Sequence, residues 1–207
     1  MRRPEFIARQ AAHPRGLVGR LLFRVMAVET LAVNERALEL LELEPNSRVL
    51  EVGFGHGRTL AGALELAPNG LVAGIDISAD MVEAFRIRQR RSNDRVLIEV
   101  KQASSDRIPY PDAHFDRVYA VHTLYFWDNP LIHLGEIRRV MSAEGRFVLA
   151  FTPKEDARAV ARFPKTVYRF YSIEETKRLL SEVGFRDVGI VREPIGSRDT
   201  VFAVSHC

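Results

Sequence analysis

Three glycines at alternate positions, Gly53, Gly55 and Gly57, follow the apolar residues Val49, Leu50 and Val52 and precede a helical pattern. A glycine turn between a strand and a helix brings bare backbone close to a ligand and aims the positive end of the helix at it. Dinucleotide sites use such a turn with the spacing G-x-G-x-x-G, which seats a pyrophosphate. Here the spacing is G-x-G-x-G, and Glu51 stands just before it. A carboxylate in that place repels a pyrophosphate and suits a ligand carrying an ammonium or a sulfonium. Asp76 ends the next apolar run, nineteen residues after Gly57. An acid there takes both hydroxyls of a ribose. Together these residues point to an adenosine ligand with a cationic part. An NAD-dependent oxidoreductase is the rival reading, and the glycine spacing and Glu51 argue against it.

The elements that must hold these residues alternate along the chain. Strands are predicted over 48–52, 71–77, 96–101, 115–121, 146–152, 186–193 and 200–206. Helices are predicted over 17–25, 27–43, 57–67, 79–91, 130–141 and 173–183. In the second of these, Leu31, Ala37, Leu40 and Leu41 are the expected core contacts. Pro45 ends that helix, because its ring cannot continue it. Asn129-Pro130 and the capping box Ser172-x-x-Glu175 open two others. The near-continuous apolar run 71–77 is what a parallel strand covered on both faces requires. Strands alternating with helices imply an α/β, doubly wound parallel sheet, and the short turn after Pro194 makes the last pair antiparallel.

Four runs of this chain resemble the class I S-adenosylmethionine-dependent methyltransferases, in particular the small single-domain branch that includes quinone, lipid and small-molecule methyltransferases. The first is Val49-Leu-Glu-Val-Gly-Phe-Gly-His-Gly57, and the second is Gly74-Ile-Asp76-Ile-Ser78. The third is the segment from Ala103 to Asp116, and the fourth runs from Phe115 to Pro130. The resemblance is close over 45–152 and looser elsewhere. It implies a Rossmann-like seven-stranded sheet, mostly parallel with one antiparallel strand, with helices on both faces. It also implies one domain: N-terminal cap helices over 1–44, a cofactor-binding core over 45–152, and an acceptor-side insertion with the C-terminal strands over 153–207.

By the same likeness the cofactor is S-adenosyl-L-methionine, with S-adenosyl-L-homocysteine as product. Its binding residues would be Glu51, Gly53, Phe54, Gly55 and Gly57 around the turn, Asp76 on the ribose, and Ile77 and Met81 against the adenine. The family places an aspartate on the adenine amino group. This chain has Ser104 there, with Ser105 beside it and Asp106 two positions on. His122 would end the fourth strand next to the transferable methyl group. There it contacts the cofactor or serves as the general base, since its unperturbed pKa is near neutrality. Leu124, Tyr125, Phe126 and Trp127 form an aromatic and apolar wall after it. Tyr168, Phe170 and Tyr171 in the insertion are further candidates for the acceptor pocket. His56 falls inside the turn, His114 in an exposed loop, and His13 and His133 have no partner legible in the sequence.

The bulk numbers bound the partners. The chain has 207 residues, 46% hydrophobic and 28% charged, with a net charge of +3. That suits one full-sized core. Of 30 basic residues four are lysines and the rest arginines. The excess of base is slight for a nucleic-acid groove, and no Asn-Pro-Pro-Tyr or Asp-Pro-Pro-Tyr tetrapeptide follows the fourth strand. No nucleic acid is expected. A lone cysteine, Cys207, makes neither an internal disulfide nor a cysteine metal site, and no metal is expected. With no transmembrane run, the protein is expected in the cytoplasm. Arg2, Arg3, Arg9, Arg15, Arg20 and Arg24 make the N-terminus basic. They are read as the solvated face of a capping helix, with grip on an acidic substrate or contact with anionic lipid as the alternative. The run from Arg86 to Arg91 is expected to be solvated. The expected acceptor is a small molecule, including lipid or quinone-like ones; a binding module without catalysis is the alternative.

Overall fold

A computed structural model describes residues 3–16, 19, 29–92, 98–196 and 198–207. The helix predicted over 17–25 lies outside them, as do Arg2, Arg20, Arg24 and the start of the third predicted strand.

Seven strands form one sheet: β1 (Arg48–Val52), β2 (Leu71–Asp76), β3 (Glu99–Gln102), β4 (Phe115–Val121), β5 (Met141–Phe151), β6 (Arg186–Ile195) and β7 (Arg198–His206). Their order is β3-β2-β1-β4-β5-β7-β6. All neighbours are parallel except those of β7, which is antiparallel to both β5 and β6. The chain winds outward from β1 through β2 to β3, then returns to lay β4 on the other side of β1. That reversal leaves a crevice at the carboxyl ends of β1 and β4, the place where doubly wound sheets bind ligands.

Side-chain alternation divides the core. Leu50, Val52, Ala73, Ile75, Val118 and Ala120 face one way, into a layer with α1 (Glu5–Ala12), α5 (Pro130–Val140) and α7 (Ile173–Glu182). Val49, Val72, Tyr119, Val148 and Phe202 face the other way, into a layer with α2 (Leu31–Leu41), α3 (Arg58–Leu66) and α4 (Ala79–Ser92). Helices thus cover both faces, as the continuous apolar strands required. A single turn of helix, α6 (Ala157–Val160), lies in the insertion after β5.

Differences from the expected elements are mostly at their ends. β5 starts at Met141, five residues earlier than predicted, because Met141 pairs with Phe115 ahead of a bulge. In α2 the buried residues are Val33, Ala37, Leu38 and Leu41, so Leu31 and Leu40 are only partly covered. The Ser172–Glu175 capping box is present in both directions. Asn129 caps α5, its side chain accepting from the Leu131 N–H, with Pro130 in the first turn.

Candidate functional site

A cavity of about 490 Å³ opens at the β1–β4 crevice. Its size is that of a small-molecule cleft, roughly 300–1,000 Å³. Glu51, Gly53, Asp76, Ile77, Ser104, Ser105 and His122 all line it, as do His56, Thr123 and Asp106.

The glycine turn is shaped by its own backbone and by β2. Gly53, Gly55 and Gly57 all have positive φ, at 77°, 51° and 69°. Gly53 also meets β4: a Cβ there would lie 2.6 Å from Cγ2 of Thr123. Gly57 serves packing instead, because a Cβ would strike the Phe85 ring at 2.4 Å. Asp76 ties the turn to β2. One carboxylate oxygen accepts from the Gly55 N–H and the other from the Ser78 N–H, both at 2.8 Å. Each oxygen keeps a second lone pair for a ligand hydroxyl. Burial pushes the Asp76 carboxyl up, and the two N–H bonds and nearby His13 pull it back.

Glu51 is buried, and it accepts a hydrogen bond from the Tyr119 hydroxyl at 2.8 Å. Its carboxyl is pushed up to about 8 by burial, opposed by that hydrogen bond and reinforced by Asp76. A cation in the cavity would favour its charged form. Two buried carboxyls beside a bare backbone turn suit a ligand that has hydroxyls and positive charge. Thr123 Oγ1 is buried and has no hydrogen-bond partner among the described residues. These residues fit S-adenosylmethionine better than they fit a pyrophosphate.

Two of the expected cofactor residues lie elsewhere. Phe54 is buried beneath the turn, edge-on to Phe85 in the α2–α4 layer, and is not part of the cavity wall. Met81 is buried at the start of α4 and likewise does not line it. Both follow from strand and helix periodicity, which turned these side chains toward the core. Gly55 and Gly57, also expected at the cofactor, do not line the cavity either. His133, which showed no partner in the sequence, is on the wall. Its Nδ1 shares a hydrogen bond with Ser105 Oγ at 2.8 Å, and its ring stacks on Trp127 at 5.1 Å and 4°. Only the docking of α5 beside the 103–106 loop brings these groups together, so no local pattern could have shown it.

His122 sits just past β4 with φ of 57°, a left-handed backbone uncommon outside glycine. Its N–H is held by the Ala150 carbonyl. Its Nδ1 lies 3.0 Å from the Tyr125 hydroxyl, which also accepts from the Thr152 N–H. When Nδ1 donates to Tyr125, Nε2 keeps a free lone pair. Protein surrounds the ring except where it faces the cavity. Burial, and then the charge of Arg198, lower its pKa to about 4, so it stands neutral and able to accept a proton.

The rest of the wall is aromatic. Tyr125, Phe126, Trp127, Phe163, Tyr168 and Phe170 line the cavity. Tyr125 lies 5.7 Å from Tyr168 and 4.9 Å from Phe170. Leu124 and Tyr171, also expected here, are in the core. The N-terminal segment spans both ends of the cavity, from Arg3 at Phe163 to Pro14 and Gly16 at the residues after β2. Ala8 and Ala11 of α1 are buried, Ser78 Oγ donates to the Pro14 carbonyl, and the Gly16 N–H bonds Asp80. Arg3 is part of the wall, as are Glu29 and Arg198, which the sequence did not single out. Among the arginines of α4, Arg86 and Arg88 are not merely solvated: they bond the carbonyls of Val100 and His56. Among the described residues no group of three or more His, Cys, Asp and Glu side chains could hold a metal ion, and no helix is long and apolar enough to cross a membrane.

The chain is similar to known proteins. Residues 50–149 match a family model described as a methyltransferase domain. The 27-O-demethylrifamycin SV methyltransferase of Amycolatopsis mediterranei is 31% identical over 165 residues, 75% of this chain and 60% of that protein. A demethylmenaquinone methyltransferase of Symbiobacterium thermophilum is 34% identical over 125 residues, 60% of this chain and 49% of that one. The chain thus spans between half and three-fifths of the length of these two relatives. Among solved structures, a SAM-dependent methyltransferase from Aquifex aeolicus aligns with a TM-score of 0.67 at 27% identity, covering 83% of this chain and 88% of that one.

Proposed function

We propose that this chain, which belongs to the class I S-adenosylmethionine-dependent methyltransferases, transfers a methyl group to a small-molecule or lipid-like acceptor. The observation that carries the reading is the meeting of two sets of groups in one cavity. Buried Glu51 and Asp76 stand under the glycine turn, and neutral His122 faces an aromatic wall. When bound, the cofactor supplies a methyl group already made electrophilic by its sulfonium.

The chain's own work is then positioning and proton removal. Asp76 would hold the ribose hydroxyls, and Glu51 would offset the positive charge. Ile77, Ser104, Ser105 and His133, which line the same cavity, would hold the adenine. Holding an acceptor in line contributes on the order of 7–11 kcal/mol. Tyr125, Phe126, Tyr168 and Phe170 favour a flat acceptor and exclude water. His122 takes the proton from an acceptor hydroxyl through Nε2, with its ring fixed by Tyr125. The two relatives above are named for a demethylrifamycin and a demethylmenaquinone, which supports a small-molecule acceptor.

The test is turnover. Purified protein with S-adenosylmethionine and a panel of phenols, catechols and quinols should yield S-adenosylhomocysteine and a product heavier by one methylene, read by mass spectrometry. Tight cofactor binding with no product from any acceptor would instead make the chain a binding module.

A further inference from the structure

The aromatic end of the cavity carries positive charge that is only partly offset among the described residues. Arg3 and Arg198 both stack on Phe163, with guanidinium carbons 5.2 and 5.3 Å from the ring centre. The ring face holds each guanidinium, and Arg3 also hydrogen-bonds Glu29 and the Tyr168 hydroxyl. Glu29 is the one carboxylate paired with them. Its Oε2 lies 3.3 Å from Nη2 of Arg3 and 3.7 Å from Nη2 of Arg198, the second too long for a hydrogen bond. Among the described residues Arg198 therefore has no carboxylate hydrogen bond, although its side chain is only 22% exposed.

Three other partly buried arginines are treated differently, although Arg138, whose Nε has no partner among the described residues, is not one of them. Arg36 closes on Glu193 at 2.9 Å, Arg139 on Asp112 at 2.7 Å, and Arg146 on Glu42 at 2.9 Å. Each has a close carboxylate, as a guanidinium withdrawn from water requires. Arg198 instead has a second arginine beside it. Its charge reaches His122, Tyr125 and Tyr168, so it stands next to the proposed reaction centre and not on a remote surface. The N-terminus is fastened to hold this arrangement: the Arg3 N–H bonds the Arg162 carbonyl at 2.7 Å.

We infer that Arg3 and Arg198 form a subsite for a carboxylate borne by the acceptor, a flat conjugated molecule lying against Phe163, Tyr168 and Phe170 with its reacting group toward His122. Among the described residues Arg3, Arg198 and nearby Arg162 outnumber Glu29, so the place favours an anion. The guanidinium fork fits two coplanar oxygens. An anion on Arg198 would also relieve the charge that depresses His122, so binding the acceptor would strengthen the base. This inference rests on the methyl-transfer reading for the role of the bound molecule. A carboxylate could also come from the cofactor's methionine part, and the test separates the two sources.

Full-length protein saturated with S-adenosylhomocysteine is titrated by calorimetry with 2-naphthoate and with its uncharged analogue 2-naphthamide. The expected result is binding of the carboxylate at least about tenfold tighter than the amide. Arg198→Gln and Arg3→Gln should each lower that ratio by about threefold or more, while S-adenosylhomocysteine affinity stays within about twofold. Melting curves check folding, and Arg198→Lys, which keeps charge without the fork, should recover only part of the preference. Equal binding of the two probes overturns the inference. So does a preference that survives both variants, or no binding of 2-naphthoate at ~10 mM. A loss of S-adenosylhomocysteine affinity in Arg198→Gln with the probe ratio unchanged would assign the pair to the cofactor's carboxylate. If wild-type protein fails to bind S-adenosylhomocysteine, the methyl-transfer reading falls; the same two probes titrated without it still decide the arginine subsite.

Discussion

The two ends of the cavity are built in opposite ways. The end under the glycine turn is made by short runs at the carboxyl ends of adjacent strands: 51–57 after β1, 76–77 after β2, 103–106 after β3 and 122–123 after β4. Parallel pairing brings them side by side, and backbone hydrogen bonds such as Gly55 to Asp76 fix their shape. The aromatic end draws on residues 3, 29, 125–127, 163–170 and 198, which come together only when the N-terminal segment, the insertion and β7 pack. One end is set by topology and the other by long-range packing. A family can therefore keep its methyl donor while its acceptor changes.

The largest effect expected from this division is at their boundary. His122→Asn keeps a residue that tolerates the left-handed backbone and removes the base. Turnover of a hydroxyl acceptor should fall by about 10²–10⁴-fold, the usual worth of general-base catalysis, with cofactor affinity unchanged. Equal loss of both would move His122 to the donor end. Next comes Gly53→Val. Its side chain would meet Thr123 on a backbone of φ 77°. Stability should drop by about 2–4 kcal/mol in thermal or urea melts, and calorimetric cofactor binding should drop with it.

A smaller effect should follow pH. Glu51 has its folded pKa raised from a usual 4.5 to about 8, so between these values the folded protein holds a proton that the unfolded chain lacks. Stability without ligand should therefore decline as pH rises through this window. A cation beside Glu51 needs the carboxylate, so affinity for S-adenosylmethionine should rise over the same range, by at most about tenfold per pH unit. Glu51→Gln should flatten both trends. The smallest effect is expected at Phe54→Leu and Met81→Leu. These are core swaps costing less than about 1.5 kcal/mol of stability, with cofactor affinity left alone. A tenfold loss of affinity in either would return that residue to the site.

What the sequence made legible follows the same division. Strand alternation, the glycine spacing, Glu51 and Asp76 are local signals, and they led to the doubly wound, mostly parallel sheet and to the residues proposed for the donor end. Local signals also misled where a residue sat next to the motif but turned inward, as Phe54 and Met81 did. His133, Glu29 and Arg198 carried no signal, because the partners that place them are 26 or more positions away in the chain: Ser105 for His133, Arg3 for Glu29, and Phe163 for Arg198. Arg3 was visible only as one of several basic N-terminal residues, and its place in the cavity depends on the Arg162 carbonyl.

The buried carboxylates under the glycine turn are expected to receive an adenosine ligand with a positive charge. Calorimetric titration of wild-type protein and Asp76→Asn with S-adenosylmethionine and with NADH tests this. S-adenosylmethionine should bind the wild type, Asp76→Asn should weaken it by more than about tenfold through loss of a charged acceptor, and NADH should not bind. Unchanged affinity in Asp76→Asn, or tight NADH binding without S-adenosylmethionine binding, would contradict it.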